Sequence, residues 1–182
     1  MIFELRRKIK MKKYLYKSIV IICSIVLLSA CGVYSFTGGN TGDAKTIQID
    51  FFPNQAPLVE PTLSQRFTQE LQDLFTRQTN LTLVRSGGDL HFEGEIVDYR
   101  ITPMSATASQ GTQSAAQNRL TVSVNVRFIN KLNEKDDFEK QFSFYSDFAA
   151  AQQLSGNVLE TALDEILTRI HQDIFNASVA KW

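Results

Sequence analysis

Alternating apolar and polar residues mark the predicted strands of this chain. The clearest case runs from Leu120 to Phe128, where every second residue is apolar and the residues between are polar. Similar alternation covers Thr46 to Phe52 and Leu90 to Ile101, and Pro53 and Pro103 are predicted to end these two segments. A period of two places successive side chains on opposite faces, so each segment is predicted to be a strand with one face on a core.

Turn residues predict two further strands. Leu81 to Val84 is a short candidate, and the glycines at 87 and 88 turn the chain towards Leu90. Polar residues 133–136 are predicted to form a hairpin tip, after which Phe138, Phe142 and Phe144 continue into a returning strand. Gly94 indicates a bulge or close packing by a helix. Residues 105–118 lack periodicity and predict a long loop that is either functional or disordered.

Helical spacing appears twice. The first series is predicted to run from Thr62 to about Gln78, with Thr62 and Gln65 forming a capping box. The second is predicted to begin with Asn157 as its cap and to end near Asn176. Two amphipathic helices of this kind most simply pack on one face of a sheet. The predicted fold class is therefore α+β, with both helices on one face of a mostly antiparallel sheet of four or five strands.

The first thirty residues have the pattern of a secretory signal peptide: a basic stretch, an apolar run over 19–28 and small residues. Met11 is a possible true start, because Lys12 and Lys13 follow it. Leu28-Ser29-Ala30-Cys31 is similar to a bacterial lipobox, which predicts cleavage before Cys31 and acyl chains on its sulfur. The alternatives are a permanent transmembrane anchor and a free cysteine. Glycine-rich residues 31–45 are predicted to be a tether, and 46–182 a single domain.

Overall charge changes once this segment is removed. The chain has 19 basic and 19 acidic residues, but 7 of the basic residues and 1 of the acidic residues lie before position 31. Residues 31–182 therefore carry 12 basic and 18 acidic residues, a formal net charge of −6. A basic field for nucleic acid is absent, and no nucleic-acid partner is predicted.

Candidate catalytic groups are few. His91 and His171 are the two histidines, and removal of Cys23 with the signal would leave the mature chain without a free thiol nucleophile. His91 is predicted to lie on the solvent face of its strand and His171 on a helix surface. The sequence contains no G-x-S-x-G, P-loop or H-E-x-x-H motif. The interpretation is that the protein is not an enzyme and has no metal site or cofactor.

Basic residues on the strands are better placed to bind a ligand. Guanidinium and ammonium groups there could hold phosphate, although for any single residue the favoured interpretation is that it keeps a sheet face solvated. The residues concerned are Arg85, Arg100, Arg119, Arg127 and Lys131.

Several local sequences together resemble one known family. They are the lipobox, Gly32–Phe36, Thr46–Ile49, Leu63-Ser64-Gln65 with Phe67, and Gly88-Asp89-Leu90 with Glu93-Gly94. In this combination the chain resembles the lipopolysaccharide-assembly lipoprotein family LptE, in its Bacteroidetes-type form. The resemblance implies a fold of two helices and one sheet. It also implies that the domain plugs the large β-barrel LptD of the lipopolysaccharide translocon, assists its assembly and helps deliver lipopolysaccharide to the outer leaflet.

The same resemblance implies an outer-membrane, lipid-anchored protein that faces the periplasm, since Gly32 stands where an inner-membrane retention signal has Asp. The family gives no lipid-binding residues for this chain. Arg119, Arg127 and Lys131 are our candidates for lipopolysaccharide binding, on the basis of charge and strand position alone. The alternatives are a periplasm-facing lipoprotein scaffold of another envelope complex and a small hydrolase that uses His91.

Overall fold

A computed structural model gives the fold, and it describes residues 39–58, 60–104 and 116–180. The predicted signal peptide, Cys31, most of the tether and most of the 105–118 loop lie outside the described residues. Packing begins upstream of Lys45, because Ala44 is buried and the N–H of Asn40 donates to the carbonyl of Val179.

Two helices form as the spacing predicts, without the predicted capping bonds. Helix α1 spans Leu63–Gln78 and helix α2 spans Gly156–Ser178. Thr62 occupies the N-cap position of α1 as predicted, but its hydroxyl donates to the Glu60 carboxylate and makes no capping bond. The prediction of Asn157 as the cap of α2 is wrong, because Ser155 holds the N-cap position, also without a side-chain capping bond. Local side-chain competition of this kind is not visible in a capping pattern.

Five strands form one sheet: β1 Thr46–Ile49, β2 Thr82–Leu83, β3 Leu90–Met104, β4 Gln117–Asn130 and β5 Phe138–Ala149. Their order is β2-β1-β3-β4-β5. The prediction of two helices and a sheet is confirmed, but the sheet is mixed rather than mostly antiparallel. Strand β1 pairs in parallel with both β2 and β3, whereas β3, β4 and β5 are antiparallel. Helix α1 is the crossover that parallel pairing of β1 and β2 requires.

Strand β3 continues through Pro103, so the prediction that this proline ends the strand is wrong. Proline lacks an N–H and is tolerated where a strand has a free edge. Strand β1 pairs with β3 only as far as Phe92, with an isolated bridge from Asn54 to Ile96. Beyond that bridge, β4 is the one described strand that pairs with β3, so Pro103 lies on a locally exposed edge of the sheet.

The segment between β2 and β3 crosses directly over β1. A Cβ on Gly88 would lie 2.6 Å from the backbone nitrogen of Gln48, so glycine is required for the crossing. Asp89 then fixes the start of β1, because its carboxylate accepts hydrogen bonds from the backbone N–H groups of Lys45 and Thr46 and from the Thr46 hydroxyl. These bonds, with that of Lys45 first, hold the pKa of Asp89 below its usual value.

The core lies between the helices and the face of the sheet that they cover. A row of aromatic rings runs through it, from Phe175 of α2 to Phe75 of α1, then to Phe92 and Phe128 of the sheet, with centroid separations of 5.2, 4.9 and 4.7 Å. Leu90, Phe92 and Ile96 of β3 point into this core, as their alternation predicts. Among the described residues, no helix packs on the opposite face of the sheet.

Gly94 tests how tightly the sheet is packed. A Cβ at this position would overlap the carbonyl oxygen of Asn125 in β4 and the ring of Phe52, while the β-bulge itself lies further along, between Ile96 and Asp98. We expect Gly94→Ala to lower the free energy of unfolding by about 3 kcal/mol, the upper part of the usual range for overpacking. Urea titration followed by circular dichroism measures this change.

Gly87→Ala is the matched control. Gly87 has a φ of +77° and no atom within 4 Å of the added Cβ, so the cost is that of a left-handed alanine, about 1 kcal/mol. Gly94 has no positive φ, so equal costs for the two variants would contradict tight packing of Gly94 against Asn125.

Candidate functional site

The side of strands β3, β4 and β5 that faces away from the two helices carries polar side chains, of which Thr121 and Ser123 are buried, and we call it the open face. Its side chains come from alternate residues of each strand, because the core takes the others. In β4 these are Arg119, Thr121, Ser123, Asn125 and Arg127, and their partners in β5 are Asp147, Tyr145, Ser143, Gln141 and Glu139. Asn125, Gln141 and Ser143 are exposed, so a partner could bind them directly.

Arg119 is held at one end of the open face. It donates two hydrogen bonds to the carboxylate of Asp147, at 2.7 and 2.8 Å, and its guanidinium lies 3.5 Å from the centroid of the Tyr145 ring. The hydrogen bonds from Arg119 hold the pKa of Asp147 below its usual value. This candidate for lipid binding is therefore already paired in a bidentate geometry.

Arg127 and Lys131 lie towards the other end, near the hairpin tip. Arg127 donates to Glu93 across the β3–β4 ladder at 3.0 Å. Lys131 lies exposed in the turn that follows β4, where its charge acts on Asp89. The three predicted lipid-binding residues therefore do not form one cluster, since the two arginines are eight positions apart along β4.

The open face carries more acidic than basic side chains. Its three strands carry three arginines, and each of these pairs with a carboxylate, the third pair being Arg100 with Asp98 at 2.6 Å. Five carboxylates share this face: Glu93, Glu95, Asp98, Glu139 and Asp147. A surface of this kind favours hydrogen bonds and exchange of ion pairs with a polar protein partner over simple attraction of phosphate.

Between the helices, Arg66 joins α1 to α2. It pairs with Glu70 of its own helix at 2.8 Å and with Glu160 and Asp164 of α2. Partial burial acts to lower the pKa of Arg66, but the carboxylates, led by Glu70, outweigh it and raise the pKa. The cluster sets the contact between the helices and leaves the open face free.

The two histidines occupy different environments. His91 lies on the same side of β3 as the open face, as predicted, but it is only 16% exposed and its Nε2 lies 2.8 Å from Asp50. His171 was predicted to be a helix-surface residue, and this is wrong. Its ring is 4% exposed and packs against Phe67 of α1 at a centroid distance of 4.6 Å. Because α2 contacts both the sheet and α1, its buried face is wider than one apolar stripe indicates.

The ion pairs of the open face were missed by sequence reasoning, although one signal could have found them. Counting back equally from both sides of the hairpin tip places Arg119 opposite Asp147 and Arg127 opposite Glu139. Opposite charges at facing positions are typical of cross-strand pairs. The pair of Arg127 with Glu93 depends on the β3–β4 register, which no short turn fixes, whereas Arg100 and Asp98 are two residues apart on the same strand.

No helix in the described part of the chain has the length and apolar character needed to cross a membrane.

The fold and the open face define a class of protein: a two-layer α+β domain that buries its helices on one side of a sheet and presents polar strands on the other. Within this class, one particular family is identified. The family model LptE, described as lipopolysaccharide-assembly, matches residues 44–178, and the chain belongs to this family. Its members are non-catalytic, envelope-associated assembly lipoproteins, and the role of this protein lies in lipopolysaccharide assembly.

Among solved structures, the chain is similar to the hypothetical protein CT253 from Chlamydia trachomatis, with a TM-score of 0.52, 10% identity and coverage of 76% of this chain and 99% of that one. This likeness supports a shared fold. Uncharacterized lipoprotein B from Nitrosomonas europaea gives a TM-score of 0.41 at 16% identity, with 72% and 80% coverage. The minor lipoprotein from Acinetobacter baumannii gives 0.42 at 12% identity, with 76% and 98% coverage. None of the curated proteins matches the chain.

Proposed function

We propose that this protein plugs the lipopolysaccharide translocon barrel LptD, assists its assembly and helps deliver lipopolysaccharide to the outer leaflet. Membership of the LptE family supports this function, and the open face is the observation that carries it. The lumen of a large outer-membrane barrel is polar, so a polar strand face suits its wall better than an apolar one would. The paired arginines and carboxylates of this face offer both donors and acceptors to such a wall.

The proposal includes the anchor. Residues 1–30 act as a signal peptide, Cys31 carries the lipid, and residues 31–45 tether a domain of residues 46–182 to the periplasmic side of the outer membrane. Each methylene of an acyl chain that is buried in the membrane stabilises the anchor by about 0.8 kcal/mol. Two or more chains therefore hold the domain stably at the membrane.

Contact with the lipid is proposed at Lys131, Arg119 and Arg127. Lys131 is the best placed because it is exposed in its turn. Arg119 and Arg127 would bind lipid phosphate by exchanging it for Asp147 and Glu93, and the bidentate pair at Arg119 makes that exchange the more costly of the two.

Site-specific photocrosslinking in cells tests the orientation. A photoreactive residue at Gln141, exposed on the open face, is expected to crosslink to the LptD barrel strongly. The control is Gln172, which is exposed on α2 in the helical layer on the other side of the sheet. We expect at least a fivefold stronger crosslink from position 141, since polar strands are proposed to lie against the wall.

Depletion of the protein supplies the second readout. Surface lipopolysaccharide and correctly assembled barrel should both fall. Crosslinks to a different envelope protein, together with normal lipopolysaccharide export after depletion, would instead establish the scaffold role. A crosslink to the barrel from Gln172 alone would support the proposed function but would mean that the helical layer, and not the open face, lies against the barrel wall.

A further inference from the structure

Three side chains that can bind a metal meet where β1 ends beside β3. His91 and Glu93 are two residues apart on one strand and so lie on the same face of β3. Asp50 follows β1, whose residue Gln48 faces His91 across the parallel ladder. One ligand atom from each of Asp50, His91 and Glu93 lies within 4.8 Å of the others. We call these three residues the strand-end triad.

The hydrogen bonds of this region place two neighbours beside Nε2 of His91. The N–H of Gly87 donates to Oε1 of Gln48 at 2.9 Å, which fixes the amide so that its Nε2 is the donor. That Nε2 lies 2.8 Å from Oδ1 of Asp50 and 3.1 Å from Nε2 of His91. The same His91 nitrogen lies 2.8 Å from Oδ2 of Asp50.

One N–H of Gln48 already donates to Asp50 Oδ1, so a protonated His91 Nε2 donates to Asp50 Oδ2 without conflict. When Nε2 is unprotonated, its lone pair and Asp50 Oδ2 lie side by side. A cation bound to both atoms would then take the place of the proton, while Gln48 still donates to Asp50 Oδ1.

We propose that the strand-end triad binds a divalent first-row transition cation of the Zn²⁺ type. One imidazole and two carboxylates form a donor set suited to such ions, with remaining positions open to water or to a partner. Asp50 and Glu93 are 41% and 37% exposed, so both carboxylates are free to adjust to the short bonds that the ion requires. No metal site was predicted from the sequence. Asp50 and His91 are 41 residues apart along the chain, so no local motif brings them together.

Residues around the triad would orient its ligands. Gln48, itself held by Gly87, fixes one oxygen of Asp50. Arg127 donates to one oxygen of Glu93 and leaves the other free for the ion. Partners of this kind orient the ligands of metal sites and commonly change metal affinity by about 10- to 100-fold. The bound ion would join β1, which has only four residues, to the long strand β3.

Calorimetric titration with ZnSO₄ tests the proposal on the full chain, purified in detergent and treated with EDTA. We expect one Zn²⁺ per chain with micromolar or tighter affinity. Glu93→Gln should weaken binding at least tenfold and His91→Gln at least a hundredfold. Glu95→Gln is the matched control, since Glu95 lies two residues further along the same face and outside the triad. Its affinity should equal that of the wild type within about twofold.

The comparison of Glu93→Gln with Glu95→Gln localises the ion regardless of binding by Cys23 or Cys31. Equal affinity in these two variants, or wild-type binding only at millimolar Zn²⁺, would overturn the proposal and leave a simple His91–Asp50 ion pair. If His91→Gln fails to fold by circular dichroism, Glu93→Gln decides the matter, because that residue is half-exposed.

Discussion

Replacing Phe92 with Ala is expected to lower the free energy of unfolding by about 3–5 kcal/mol, the range for truncating a buried phenylalanine. Phe92 is fully buried in β3. Its ring contacts Phe75 of α1 and Phe128 of β4, so its loss opens a cavity where the helices meet the middle of the sheet. Urea titration monitored by circular dichroism gives the change directly.

Phe51→Ala is the control for this variant. Phe51 follows β1 and is 60% exposed, so its truncation should cost less than about 0.5 kcal/mol. A small loss at Phe92, similar to that at Phe51, would contradict a core centred on the row of aromatic rings.

Mild acid is expected to destabilise the protein through His171. Burial lowers the pKa of this imidazole to about 4 from an ordinary value of 6.5, and the positive charge of Arg66 acts in the same direction. The folded state therefore keeps His171 neutral, while the unfolded chain takes up a proton below pH 6.5. The contribution of neutral His171 to the free energy of unfolding is fully present above that pH. It falls by about 1.4 kcal/mol per pH unit as the pH drops towards 4, so the loss at pH 5 is about 2 kcal/mol.

The groups around His171 act in opposite directions, and burial sets the sign. The backbone hydrogen bond with Phe67 raises the pKa, and the nearby Glu70 carboxylate also favours the protonated ring. The Glu70 carboxylate lies 3.7 Å from Nδ1 of His171, but its other oxygen pairs with Arg66, and Nε2 has no partner among the described residues. Comparing urea titrations at pH 7 and pH 5 isolates the effect, because it should disappear in His171→Leu and persist in His91→Asn. A wild-type loss that His171→Leu retains in full would assign it to other groups.

Local patterns predicted the elements that form from local contacts. Helical spacing gave α1 within a residue at each end, and alternation identified β4 together with the hairpin into β5. The mixed sheet could not be obtained this way. Pairing between β1 and β3 joins residues 43 positions apart, and no periodicity within either strand reports the direction of its neighbour.

The open face was predictable in kind and not in detail. Its polar character follows from alternation in β4, but the pairing of Arg119 and Arg127 depends on register. The burial of His171 depends on contact between the two helices, which one amphipathic stripe does not specify. The lipidation predicted at Cys31 rests on the lipobox alone, since Cys31 lies outside the described residues.

The position of β1 has a consequence for the route of folding. Strands β3, β4 and β5 follow one another along the chain and are neighbours in the sheet, so their pairing closes shorter loops than the pairing of β1 with β3 does. Strand β1 is made earliest but lies between β2 and β3, so it must insert into a sheet that later residues build. In a chain delivered amino terminus first, Ile47 and Ile49 stay exposed until β3 arrives. We therefore expect β1 to be completed after β3, β4 and β5 have paired, and the chain to need most protection from aggregation before that point.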